Sequence, residues 1–141
     1  MNIKKFMLAT IAGGITMWIV AGIWHNVIMA NFYNKQHAEH EDIALLIVAY
    51  LILAIFMSYL YPLFNKLENR VLNGLLFGCF IGLLWVFPHD LAMAGAHNTS
   101  LIYAIKNGAW HMVEQGIGGI VIALVFGHEN VHRRNNIDES C

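Results

Sequence analysis

Charged residues are scarce in this chain: Asp, Glu, Lys and Arg together make up 12% of its 141 residues. A soluble domain of this size carries roughly twice that fraction. The few charges nearly cancel, with a formal net charge of −1, and no basic patch is large enough to indicate a nucleic-acid partner. The composition therefore argues against an ordinary soluble domain and against a nucleic-acid-binding protein.

Cysteine pairs and common catalytic motifs are also missing. Of the two cysteines, Cys79 lies within an apolar run and Cys141 is the last residue, and neither is part of a CxxC motif. A disulfide or a redox role therefore has no support. The sequence has no GxxxxGK[ST], no GxGxxG after a strand and no GxSxG, so nucleotide binding and serine-type hydrolysis have no support either.

Apolar runs occupy most of the chain, which is 58% hydrophobic. Four of them, at 6–30, 43–62, 71–91 and 101–127, approach or exceed the roughly 20 residues that span a bilayer. The first run is longer than the apolar core of a signal peptide, which is roughly 7–15 residues. We therefore predict an all-α protein with one integral membrane domain over residues 1–141, a four-helix transmembrane bundle with a short polar tail at 128–141. Short connections favour an up-down-up-down order.

The ends of these runs contain residues that start or stop helices. Glu41 and Asp42 precede the second run, as acidic residues commonly do at a helix N-terminus. Pro62 is expected to end that run, and Pro88 to bend the last turn of the third. Residues 98–100 are Asn, Thr and Ser, which are all good N-cap candidates for the fourth run.

The basic residues predict the orientation. Six Lys and Arg residues fall on one side of the four runs and two on the other. Because basic residues accumulate on the cytoplasmic side, both termini are expected to be cytoplasmic, in an inner (plasma) membrane of the bacterial type. The loops 31–42 and 92–100 then face outward. The six are Lys4, Lys5, Lys66, Arg70, Arg133 and Arg134, and the two are Lys35 and Lys106.

The fourth run is unusual because it places His111, Glu114 and Gln115 inside an otherwise apolar segment. Ionisable groups in a membrane are costly and mark function by default. At helical spacing, His111, Gln115 and Gly118 share one face, with Glu114 beside them. That face must meet another part of the chain.

Glycines in the last two runs predict close helix packing. Gly74, Gly78 and Gly82 form GxxxGxxxG in the third run, and Gly116 and Gly119 lie in the fourth. These glycines are the expected contacts with other membrane subunits or with a second copy of the chain. His89, seven residues after Gly82, should continue the glycine face and point into the bundle or towards such a partner.

Histidines on three runs are predicted to share one depth. At 1.5 Å per residue, His111 lies about 5 Å and His25 about 7 Å below the outer boundary, with His89 slightly shallower. Together with Glu114 they form a candidate site for a transition metal or haem, which would serve electron transfer, or for proton transfer. The alternative is an interfacial belt, because Trp24, Trp85 and Trp110 lie at a similar level.

Two further histidine pairs are weaker metal candidates. His37 and His40 lie three residues apart in an outer loop that is otherwise polar. His128 and His132 belong to an HExxH sequence, the zinc motif of metalloproteases, but two arginines follow it immediately and would repel a cation. The leading hypothesis is therefore an outer-leaflet metal, haem or proton site. The alternative is a non-catalytic accessory subunit of a larger membrane complex, and a membrane metalloprotease is a distant third.

Overall fold

The computed structural model describes residues 2–28, 42–64, 67–97 and 100–127, and over these ranges its regular structure is helical. The helices are α1 (Ile3–Ile23), α2 (Ile43–Phe64), α3 (Arg70–His97) and α4 (Leu101–Phe126), and a π-helical turn, Trp24–Ile28, continues α1. All four are long and apolar enough to cross a membrane. The prediction of an all-helical protein with four helices able to span a membrane is thus confirmed.

Polar side chains cap the N-termini of the first three helices. The Oδ1 atoms of Asn2, Asp42 and Asn69 accept hydrogen bonds of 3.0–3.4 Å from backbone N–H groups in the turn that follows each of them. Such bonds satisfy donors that have no partner inside the helix. The predicted acidic start of α2 is thus confirmed at Asp42. Ser100 occupies the N-cap position of α4, but its side chain makes no capping hydrogen bond.

The expected end of the second segment at Pro62 was wrong, and both prolines lie inside helices that continue past them. Pro62 lies inside α2, which continues to Phe64, and Pro88 lies inside α3, which continues to His97. A proline removes one backbone hydrogen bond, but a membrane offers no water to a frayed end, so the remaining bonds favour continuing the helix. The third segment therefore runs 28 residues rather than the 21 expected.

α4 is the central helix. Half of its most apolar window is buried, against 22–28% for the other three helices. It contacts each of them, most extensively α3 and then α1. The expectation that the fourth run meets the rest of the chain is confirmed.

One row of α4 residues, spaced four apart, packs against α3. A Cβ atom added to Gly74 would lie 2.5 Å from the carbonyl oxygen of Gly119, and one added to Gly82 would meet the carbonyl oxygen of His111. Between these levels, Gly78 faces the backbone of Gln115. The two backbones therefore touch along rows of four-residue spacing, the usual result of GxxxG packing, and the two helices run in opposite directions.

A second row of α4, one position before the first, packs against α1. Trp110 stacks on Trp24, and Gly118 lies against Met17. One turn further along, Ile122 fills the space beside Gly13. Because Gly13 has no side chain, α1 can approach α4 closely at this point. The predicted common face of His111, Gln115 and Gly118 is thus divided, because His111 and Gln115 face α3 while Gly118 faces α1.

These contacts correct the expectation about partner surfaces. All five glycines predicted to bind other subunits, namely Gly74, Gly78, Gly82, Gly116 and Gly119, pack within the chain. A glycine stripe shows where a helix can approach closely, and in this fold the approaching helix belongs to the same chain. The glycines therefore stabilise the α3–α4 pair.

Candidate functional site

The only charged side chain that is fully buried among the described residues is Glu114, with 0% of its surface exposed. It lies in the α1-facing row of α4, between Trp110 and Gly118. Its Oε2 atom is 3.2 Å from Nδ1 of His111, one helical turn earlier, and the His111 side chain is 18% exposed. The sequence-based pairing of these two residues therefore has a close contact in the structure.

Two groups compete for Nδ1 of His111. The Glu114 carboxyl approaches it at 3.2 Å, and the Nε2 atom of Gln115 lies 3.4 Å from it. The amide nitrogen is a donor and a carboxylate is an acceptor, so Nδ1 has different protonation states with the two partners. When Nδ1 carries a proton it can donate to Glu114, and when it does not it can accept from Gln115. The protonation state of Nδ1 therefore determines whether His111 bonds to Glu114 or to Gln115.

The side-chain oxygens of Glu114 and Gln115 lack hydrogen-bond donors among the described residues. Neither Oε1 nor Oε2 of Glu114, nor Oε1 of Gln115, has a hydrogen-bond partner of full geometry within the described ranges. Tyr50, in α2, is coupled electrostatically to Glu114, but no hydrogen bond joins the two side chains. Buried acceptors without donors are costly, so this position favours the arrival of a proton or a cation.

An aromatic pair lies one turn from Glu114, towards the end of the bundle where α4 begins. The rings of Trp24 and Trp110 are parallel within 6°, with centroids 3.9 Å apart, and both indole N–H groups are buried without a partner in the part of the chain that the structure describes. The stack brings together the residues that directly precede His25 and His111 in their helices. His25 lies in the π-helical turn, a distortion often found at functional sites.

His89 does not join this group. Its side chain is 72% exposed, and its Nδ1 lies 3.5 Å from Oδ1 of Asp90. The predicted inward direction was wrong, because the α3 contacts follow a four-residue row. Continued in steps of four from Gly82, that row reaches residue 90 and not residue 89. Asp90 therefore faces α4, and its Oδ2 accepts a 2.7 Å hydrogen bond from Asn107. At the adjoining level Phe87 fills the space beside Gly108.

The predicted site of three histidines and a glutamate is not brought together among the described residues. In the ranges that the structure describes, no three His, Cys, Asp or Glu side chains lie close enough together to hold a metal ion. Of the four predicted ligands, His111 and Glu114 are brought into contact. The weaker candidates His37, His40, His128 and His132, with the whole HExxH sequence, lie outside the described residues.

Two residues near the His111–Glu114 pair were not predicted from the sequence. Tyr50 sits in the most apolar run with no polar neighbour in sequence, so nothing marked it as a partner of Glu114. Asn107 was not among the predicted site residues, although it lies four residues before His111 and so shares the α3-facing row. The four-residue spacing of Asn107, His111 and Gln115 was the signal that could have identified it.

Comparison with protein-family models, with curated proteins and with solved structures finds no match for this chain.

Proposed function

We propose that this chain is an integral membrane protein that binds and releases a proton at the His111–Glu114 pair in its bundle core. The observation that carries the proposal is the 3.2 Å contact between Nδ1 of His111 and a Glu114 carboxyl with no solvent exposure. Intramembrane carboxyl and imidazole groups are the usual elements of proton relays. The proposal keeps the proton-transfer part of the sequence-based hypothesis.

The pair can hold one proton in two arrangements that are both neutral overall. The proton sits either on His111, beside an ionised Glu114, or on Glu114, beside a neutral imidazole. Losing this proton would leave a net negative charge in a low-dielectric interior, which is costly. Gln115 supports the second arrangement, because its amide can then donate to Nδ1. The pair is therefore suited to store one proton and to pass it between neighbouring atoms.

A row of polar side chains on α4 offers access from the end of the bundle where α4 begins. Asn107, His111 and Gln115 follow the same face of α4, and Asn107 is tied to Asp90 near the end of the bundle where α4 begins. After Gln115, α4 has no polar side chain as far as Phe126. With both termini cytoplasmic, as the basic residues favour, the polar row opens towards the outer side. We therefore propose proton exchange with the outer side and an up-down-up-down order of the helices.

Infrared difference spectroscopy tests the proton site. The parent protein, titrated in detergent or in vesicles, should show a carbonyl band from a protonated carboxyl group that changes with pH. Glu114→Gln should remove this band. The matched control is Asp90→Asn, which removes the α3 carboxyl that pairs with Asn107 at the polar end of the row and should leave the band in place. A band that persists in Glu114→Gln, or is absent from the parent at every pH, would refute the proposal.

Stability of variants gives an independent check. His111→Leu leaves a buried carboxyl without its partner and is expected to destabilise the protein by about 3 kcal/mol. The double variant His111→Leu/Glu114→Leu removes both groups and should recover most of that loss. Equal unfolding midpoints for the single and double variants would show that the two residues are not coupled.

Metal analysis and an optical spectrum of the purified protein separate the other hypotheses. Stoichiometric metal or a Soret band would replace the proton site with the metal or haem site predicted from sequence. A protein without either, without the carboxyl band and with copurifying large subunits would favour the accessory-subunit alternative.

A further inference from the structure

A cleft on the lipid-facing side of the bundle separates α2 from α3. α2 packs mainly on α1 and α3 packs mainly on α4, whereas α2 and α3 touch each other little. Two grooves, of about 330 and 260 Å³, follow each other along this cleft. The second is lined by apolar side chains between Leu53 and Leu60 of α2 and between Ile81 and Trp85 of α3. The first is lined by Phe64, Leu67, Asn73, Leu76, Phe77 and Phe80.

The cleft has the length of one lipid acyl chain. Along α3 it extends from Asn73 to Trp85, which is about 18 Å at 1.5 Å per residue. One leaflet is about half of the roughly 30 Å hydrocarbon core, so an acyl chain reaches a similar depth. The rings of Phe64 and Phe80 meet across the cleft with centroids 6.0 Å apart, and they are 43% and 45% exposed. A flexible chain can therefore lie along the cleft and over these rings.

Polar groups lie at one end of the cleft, where α3 begins. Oδ1 of Asn73, in the groove lining, accepts a 3.3 Å hydrogen bond from the backbone N–H of Leu67, another lining residue. Nδ2 of Asn73 donates a 3.2 Å bond to the hydroxyl of Tyr61. The bond from Leu67 closes the segment 67–73, and Arg70 lies in the middle of that segment. Arg70 is therefore held at the mouth of the first groove.

Two cations from different helices converge at this end of the bundle. Nζ of Lys5 donates a 3.2 Å hydrogen bond to the carbonyl oxygen of Phe126, and Nη1 of Arg70 lies 3.7 Å from the position of a Cβ added to Gly127. The C-terminal end of α4 attracts such cations. Within the described ranges Arg70 belongs to no ion pair, and Glu68 is the one acid at this end, against three basic residues. The mouth of the cleft is therefore positively charged.

We propose that the α2–α3 cleft binds one anionic phospholipid, with an acyl chain along the two grooves and the phosphate at Arg70 and Lys5. Basic pockets between transmembrane helices bind anionic headgroups in this way. The basic residues of the sequence favour a cytoplasmic location for this end, and the cytoplasmic leaflet is rich in anionic lipid. The inference does not use His111 or Glu114, so it is independent of the proton site.

The width of the cleft favours a lipid over a helix of a second copy. A helix with its side chains is about 10–12 Å across, and it cannot enter a cleft in which rings from the two walls meet. A single hydrocarbon chain is narrow enough. An uncharged apolar molecule would fill the grooves but would leave the positive charge at the mouth without a partner.

Native mass spectrometry of the delipidated full-length protein, titrated with dioleoylphosphatidylglycerol, tests the proposal. Dioleoylphosphatidylcholine has the same chains and no net charge, and is the matched control lipid. The parent should bind one phosphatidylglycerol saturably and phosphatidylcholine at least fivefold more weakly. Arg70→Gln should weaken phosphatidylglycerol binding at least fivefold. Lys4→Gln removes a positive charge at the same end, from α1, and should change the affinity less than twofold.

A pair of α3 variants tests the location. Leu76→Trp fills the first groove, which Leu76 lines while 53% exposed, and should weaken phosphatidylglycerol binding at least tenfold. Leu83→Trp places the same side chain at a residue that is 38% exposed and lines neither groove, so binding should be unchanged. Both side chains face lipid, so both variants should fold, and helicity by circular dichroism checks this.

The mass spectra also report the other occupants. Equal affinity for the two lipids, or parent-like affinity in Arg70→Gln, would mean a cleft without headgroup recognition and would overturn the inference. Parent-like affinity in Leu76→Trp would place the lipid elsewhere and would overturn it too. A dimer that binds no lipid and dissociates in Leu76→Trp would show that a second copy covers the cleft, again against the inference.

Discussion

Replacing Gly78 with alanine should separate the two most extensively packed helices. The added Cβ would lie 2.5 Å from the carbonyl carbon of Gln115 and 2.7 Å from the Cα of Gly116, and it would also overlap the carbonyl oxygen of Gln115. Ordinary contacts of a Cβ begin near 3.4 Å. Because every atom in the way is backbone, no side-chain rotation relieves the overlap, and α3 and α4 must move apart by about 1 Å.

The expected loss follows from the length of the contact. A gap of roughly 0.5–1 Å forfeits a quarter to a half of the dispersion energy of each atom pair that it separates. The neighbouring contacts at Gly74 and Gly82 are also backbone contacts, so local relaxation is blocked and the gap extends along the interface. Overpacking of a core commonly costs 1–3 kcal/mol, and we place Gly78→Ala at about 3 kcal/mol.

Gly95→Ala is the matched control, because Gly95 lies in the same helix and has nothing within 4 Å of an added Cβ. Alanine is the better helix former, so this variant should stay within about 1 kcal/mol of the parent. Unfolding in mixed micelles, followed by circular dichroism, measures both. Equal unfolding midpoints for the two variants would contradict the close packing of α3 against α4.

The remaining predictions concern orientation, stacking and a buried hydrogen bond. With the other cysteine replaced by alanine, Cys141 should resist an impermeant thiol reagent in intact cells, and labelling there would reverse the predicted orientation. Trp24→Leu should abolish the exciton signal that stacked indoles give in circular dichroism, and an unchanged signal would mean that Trp24 and Trp110 do not stack. Asn73→Leu should cost about 1–2 kcal/mol in the same unfolding assay, because the buried hydroxyl of Tyr61 loses its 3.2 Å donor.

The site was predictable only where its partners lie on one helix. His111 and Glu114 are three residues apart, so helical geometry alone brings them together. Tyr50 is on another helix, and its electrostatic coupling to Glu114 depends on how α2 packs against α4. The outward position of His89 could not be predicted from a seven-residue repeat, because the repeat that matters depends on the crossing of α3 and α4.

Sequence by itself determined the class of the protein. Four long apolar runs with few charges can satisfy their backbone in lipid only as helices, so the all-helical fold follows from composition and length. It also determined that the fourth run would be central, because that run concentrates glycines and contains the only intramembrane His–Glu pair at helical spacing.

Tertiary structure decided which helix each face meets. The glycines of α3 and α4 could have served a partner protein or the same chain, because both give the same local spacing, and packing directed them inward. It also divided α4 into one row that faces α3 and another that faces α1, which placed Glu114 between Trp110 and Gly118 and within reach of Tyr50. Such choices depend on contacts between residues distant in sequence, and no local pattern encodes them.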